Sequence, residues 1–318
     1  MESKSNKQFV EPLLKTLRTF QGNSRCLYPG CSNKPIRSHV IAESILEQIA
    51  DSEAKVMTWN PSPNDIVKHV VQGHKWEQVY EKPIRVGIRQ ETTYPIFCNE
   101  HDNDIFAELE DHGFSFGRRH VALLAYRALC YKTWNPNLEQ MLEFLLSNKD
   151  ADTKLQQERI LSIKTMIAAR QKFENMLTTQ DFRELCWISR IIHVDPFLVC
   201  TDATIPYEGE EDAKNIANGS ITLTPEDVIT FSLFPERKRN ASICVITWFR
   251  NNNRGMRVIN DLEWETLPEK DIIDDIIFKA LGRALVYMSP AWWYSLTPEQ
   301  QDDIWELRLS INEFLPDI

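Results

Sequence analysis

Several features are missing from this chain, and each absence removes a class of protein. No apolar run in the 318 residues approaches the roughly 20 needed to span a bilayer, so no membrane partner is expected. The N-terminus, Met1-Glu-Ser-Lys-Ser-Asn-Lys7, lacks the apolar core of a secretory signal, which sets the expectation of a cytoplasmic protein. There is no glycine-rich phosphate loop and no Gly-x-Ser-x-Gly nucleophile elbow. No internal repeat points to a solenoid, and no heptad pattern is long enough for a coiled coil. Cys130, Cys186, Cys200 and Cys244 sit in apolar patterns and read as reduced core residues, not a disulfide framework. The net charge of −10 argues against a protein that coats nucleic acid.

The remaining three of the seven cysteines lie in the stretch around which the chain is organised. Cys26-Leu-Tyr-Pro-Gly-Cys31 places two thiols five residues apart across a Pro-Gly turn. Phe97-Cys98-Asn-Glu-His101-Asp102-Asn103 places a cysteine and a histidine three apart where a helix begins. A tight turn lets two thiolates face one centre, and the first turn of a helix presents residues three apart on one side. Together Cys26, Cys31, Cys98 and His101 have the composition of a closed Cys3His structural zinc site. The alternative is four unrelated residues.

This stretch resembles the treble-clef zinc fold of zinc-containing HNH nucleases, over about residues 23–112. The resemblance implies a two-ligand knuckle, a β-hairpin and a helix that opens with the second ligand pair. It implies that the hairpin's first strand carries a general-base histidine, which His39 of Ile36-Arg37-Ser38-His39 matches. It implies that the helix carries a ligand for a catalytic Mg2+ or similar divalent cation just after the second zinc pair. Asp102 matches that position, with Asn103 as its neighbour. The family usually has Asp-His or His-His in the first strand and histidine at the helix position, where this chain has Ser38-His39 and Asp102. The family's middle asparagine falls on either Asn60 or Asn64. On this resemblance the protein is a metal-dependent nuclease acting on nucleic acid, with DNA the expected substrate and anti-phage defence the expected setting.

Charge along the chain is uneven. Residues 1–40 carry a balance of +5 and residues 113–133 one of +4, whereas residues 261–318 carry −9. Basic charge near the zinc ligands suits a phosphate-binding face, with Arg37, Arg118 and Arg119 as candidate contacts. Arg118 and Arg119 open a helix, where N–H groups already favour anions. The competing reading is a pair of arginines answering the acidic helix before them. The acidic C-terminal region is a candidate dock for a protein partner. That gives a second functional reading, a non-catalytic zinc protein acting as an interaction or nucleic-acid-binding module.

The expected fold class is α+β. Residues 1–22 form an N-terminal helix, 23–112 the HNH-like zinc domain, 113–180 a helical segment and 181–318 an α+β C-terminal domain. Helical spacing predicts helices near 99–110 and 118–134, with Asn135-Pro-Asn137 separating the latter from the next. Residues 51–92 are the least readable; their His69 and His74 read as ordinary histidines. Runs at 186–193, 197–205, 227–234 and 242–250 predict four antiparallel strands with helices on one face. Residues 208–220 read as a polar loop and 271–288 as an amphipathic helix. Thr297-Pro-Glu-Gln300 is a capping box that starts a final helix, preceded by the aromatic cluster Trp292-Trp293-Tyr294.

Overall fold

A computed structural model describes residues 25–59, 82–89, 92–146, 153–206, 210–236, 240–252 and 285–313, with isolated positions at 254, 256 and 268. The predicted N-terminal helix of residues 1–22, His69, His74, Asn60 and Asn64 lie outside the described residues. The architecture is α+β, with nine strands and seven α-helices among the described residues. The strands are β1 (Ser38–His39), β2 (Lys55–Thr58), β3 (Ile84–Gly87), β4 (Thr93–Tyr94), β5 (Leu185–Ile192), β6 (Leu198–Thr204), β7 (Ile229–Glu236), β8 (Ala241–Phe249) and β9 (Leu285–Met288). The helices are α1 (Glu43–Leu46), α2 (Asn99–His112), α3 (Arg118–Leu146), α4 (Thr153–Thr179), α5 (Glu210–Ala217), α6 (Pro290–Ser295) and α7 (Pro298–Glu313). None of the described helices is long and apolar enough to cross a membrane.

The main sheet has the order β3-β2-β9-β6-β7-β8-β5, with every pair antiparallel. The four expected strands are its β6-β7-β8-β5 portion. The sheet is wider than expected because β9 and the β2–β3 hairpin extend it. β8 shows why the sequence folds this way. All nine of its residues are buried, and β-branched and aromatic side chains suit a pleated surface covered on both sides. Ile243, Val245 and Phe249 join one apolar cluster, while Cys244, Ile246 and Trp248 join the other. Alternate residues of a strand point to opposite faces, so both faces carry core. Trp293 of α6 lies in the second cluster, with Ile304 and Trp305 of α7 packed against it. Helices therefore meet both faces, where the sequence suggested one.

The first face is covered by α3 and α4. Val121, Ala122, Leu123, Ala125, Ala128, Leu129 and Cys130 of α3 are fully buried, which is the pattern of a helix enclosed on nearly all sides. The predicted break at 135–137 does not occur, and α3 runs on to Leu146. Pro136 lacks the N–H that would reach back one turn, but the rest of the hydrogen-bond ladder carries the helix past it. Two other expectations are corrected. Residues 210–217 form α5 instead of a loop; Ile216 is fully buried within an otherwise largely polar run. Leu285–Met288 is a strand instead of a helix end, because Leu285 and Tyr287 face one cluster while Val286 and Met288 face the other. Residues 271–284 lie outside the described residues.

The β2–β3 hairpin lies in sequence between β1 and β4, which pair with each other in a separate two-stranded sheet. Yet β2 pairs with β9, with Met57 opposite Met288. A strand from the N-terminal region thus extends the C-terminal sheet.

Candidate metal centre and the adjoining histidine

The centre is built by three local structures. The first is a four-residue turn, Tyr28-Pro29-Gly30-Cys31, closed by the Cys31 N–H to the Tyr28 carbonyl at 3.1 Å. Gly30 has φ +75°, the left-handed conformation that the third position of a type II turn requires, and proline suits the second. The second is the β1–β4 pair, with Ser38 opposite Tyr94 and His39 opposite Thr93. It is extended by the Ile36 N–H to the Phe97 carbonyl at 2.8 Å and the Leu27 N–H to the Ile96 carbonyl at 3.0 Å. These bonds hold the knuckle against the segment that delivers Cys98. The third is the first turn of α2, with Cys98 at its N-cap and His101 three residues on.

The four predicted ligands converge. One donor atom from each of Cys26, Cys31, Cys98 and His101 lies within 4.8 Å of the others. Cys31 Sγ and Cys98 Sγ are 3.9 Å apart. His101 Nδ1 is 3.5 Å from Cys26 Sγ and 3.2 Å from Cys98 Sγ. A tetrahedron with metal–sulfur bonds of about 2.3 Å and a metal–nitrogen bond of about 2.05 Å has S–S edges of about 3.8 Å and S–N edges of about 3.6 Å. The donors already sit close to that spacing, so the group can hold a metal ion. Neighbours support it. The Tyr28 ring stacks on His101 with centroids 3.9 Å apart, and the Asn33 backbone N–H points at Cys31 Sγ at 3.4 Å. Burial pushes the Cys26 thiol up to about 11. Burial also opposes the Cys98 thiolate, but the His101 backbone N–H and the Cys26 and His101 side chains outweigh it and bring Cys98 down to about 7.

His39 stands on β1 and is partly buried. Its Nε2 lies 2.7 Å from the Ile88 carbonyl. A carbonyl only accepts, so Nε2 carries the proton and Nδ1 keeps the lone pair in the neutral ring. Asp102 lies on α2, one residue past His101. Burial raises its carboxyl above the ordinary carboxylate range; the Arg127 guanidinium, the Ser38 hydroxyl and the His39 ring all pull the other way, while Glu110 adds to the rise. Asp102 Oδ1 is buried and has no hydrogen-bond partner. The structure therefore brings His39, Ser38 and Asp102 into one electrostatic neighbourhood beside the Cys3His group. Asn103 is exposed on α2.

The arginines divide. Arg37 and Arg118 are exposed, and Arg118 lies over the Trp187 ring at 5.8 Å. Arg119 pairs with Glu108 at 2.6 Å, which is the acidic-helix pairing weighed against a phosphate clamp. Sequence reasoning missed two groups at the site. Arg127, counted only as part of a basic cluster, is buried over the Phe106 ring at 4.2 Å and bonded to Glu110 at 2.5 Å. The Ile88 carbonyl belongs to the least readable segment, and a backbone acceptor leaves no mark in side-chain patterns.

No family model, curated protein or solved structure matches this chain.

Proposed function

We propose that this protein is a metal-dependent nuclease of HNH-like construction, in which the Cys3His group holds a structural zinc ion within a treble-clef arrangement. The observation that carries the reading is His39. Its ring is held by one backbone carbonyl with the lone pair on Nδ1, beside a carboxylate, on a hairpin packed against the helix that supplies two of the four sulfur and nitrogen donors. In this role Nδ1 takes a proton from the water that attacks the phosphodiester; general-base catalysis of this kind is worth roughly 10²–10⁴ in rate. A hard cation such as Mg2+ would supply charge stabilisation at the scissile phosphate, since it favours one or two carboxylates together with water and substrate oxygens. The orphaned Asp102 Oδ1 fits such a ligand. Arg37 and Arg118, both exposed, are the side chains suited to hold the nucleic-acid backbone, and DNA is the substrate to test first.

The test is plasmid nicking in Mg2+, Mn2+ or Ni2+ by the intact protein and by His39→Ala, with circular dichroism confirming that the variant is folded. Metal-dependent nicking that falls by about 10²–10⁴ in the variant is the expected result. Equal nicking by both proteins removes His39 from the mechanism. No nicking by either protein moves the reading to a non-catalytic zinc module.

A further inference from the structure

The group that orients His39 is itself tied to the large sheet. The Ile88 carbonyl accepts from His39 Nε2 at 2.7 Å and from the Thr92 hydroxyl at 2.5 Å. Ile88 is fully buried and follows β3 directly. Its N–H donates to the Ala54 carbonyl at 3.1 Å, and four residue pairs, from Lys55 opposite Gly87 to Thr58 opposite Ile84, tie β3 to β2. An ion pair between Arg85 and Asp51 at 2.5 Å spans the base of the same hairpin. At its other side, β2 meets β9. The buried Thr58 hydroxyl donates to the Val286 carbonyl at 2.6 Å, Met57 sits opposite Met288, and Trp59 packs edge-on against Trp293 with centroids 5.3 Å apart. β9 in turn pairs along its length with β6, from Leu198–Met288 to Thr201–Leu285.

We propose that the β2–β3 hairpin is a strut through which the large C-terminal sheet orients the His39 imidazole, making Thr58 a positioning residue for a histidine it does not touch. Each link is a hydrogen bond or a strand pair. A shift of β9 relative to β2 therefore moves the Ile88 carbonyl and releases the ring. Its consequence for cleavage rests on the reading of His39 as the general base. The C-terminal region thereby acquires a defined role: anything that binds or displaces β9 changes how the base is held.

The experiment uses the full chain labelled with 15N-histidine and reads the His39 ring in long-range 1H–15N correlation spectra. The intact protein is expected to show one fixed tautomer, protonated at Nε2. Thr58→Val keeps the side chain's shape but removes the donor to Val286; its His39 signals are expected to move to the averaged positions of an exchanging ring. Thr58→Ser restores the donor and is expected to restore the fixed tautomer. Nicking by Thr58→Val is expected to fall on the order of ten-fold in kcat with KM unchanged, as small misplacements of a catalytic group do. Unchanged His39 signals in Thr58→Val overturn the strut and leave the nuclease reading intact. A fixed tautomer lost in Thr58→Val, in a protein that never nicks DNA, supports the strut and sinks the nuclease. A second measurement needs no variant. In native-state hydrogen exchange, the Ile88 amide is expected to open together with the amides of β2 and β9, and its opening well before them overturns the proposal.

Discussion

At the scale of single residues, the same side-chain type does different work according to what faces it. Cys98 and Cys130 are both buried cysteines. Burial pushes the Cys130 thiol well up, whereas Cys98, at a helix N-cap beside His101, is brought down to about 7, which suits a metal ligand. Asp51 gives a testable case of the same competition. Burial pushes its carboxyl up, but hydrogen bonds from Arg85 and from the backbone N–H groups of Glu53 and Lys55 outweigh that and hold it below the ordinary 3.8. A depressed carboxylate adds stability above its unfolded value and loses that stability as pH falls through the folded value. Replacing Asp51 with asparagine should therefore flatten part of the acid limb of a stability–pH curve below about pH 4. Chemical denaturation at a series of pH values checks this; an identical acid limb in the variant refutes it.

At the scale of elements, local signals were readable wherever a short stretch carries its own instructions. The capping box at Thr297 is formed on both sides: the Thr297 N–H donates to Gln300 Oε1 at 2.9 Å, and the Gln300 N–H donates to Thr297 Oγ1 at 3.2 Å. Thr297→Ala should cost about 1 kcal/mol, measured as a lower denaturant midpoint with an unchanged slope. The knuckle, the start of α2 and β5 to β8 were legible for similar reasons, since turn residues and alternating or β-branched runs act over a few positions. β9 and α5 were not. Leu285–Met288 reads as the end of a helical stripe until β2 and β6 are present on either side of it. Among the α5 side chains described, only Ile216 is buried, and its polar neighbours read as loop.

At the scale of the whole molecule, the metal-ligand region and the large sheet share a core. Cys26, Phe97, Cys98 and Phe106 belong to the same buried cluster as Phe234, Val245, Phe249 and Tyr287, and the β2–β9 joint adds a second connection. The sequence divided these parts at residues 112 and 180, yet apolar contacts run across both positions. Structural zinc sites in small domains contribute roughly 10–16 kcal/mol of binding free energy that is also folding free energy. Stripping metal from the purified protein with a chelator should therefore lower the calorimetric midpoint of the entire chain in a single transition. Two transitions, with only one moved by the chelator, would show that the metal region unfolds alone.

The α+β class, the convergent group Cys26, Cys31, Cys98 and His101, and the four strands β5 to β8 were determined by the sequence itself. Each rests on spacing within a few residues, where covalent geometry limits what neighbours can do: a Pro-Gly turn, two ligands on one helical turn, side chains alternating across a strand. Only the tertiary structure decided that β2 and β3 leave the metal region to extend the sheet, that Arg127 lies buried over Phe106, and that His39 is oriented by the Ile88 carbonyl. These depend on pairing between segments distant in sequence. Met57 and Met288 are 231 positions apart, and the hydrogen bonds that join their strands come from backbone groups that every residue carries alike.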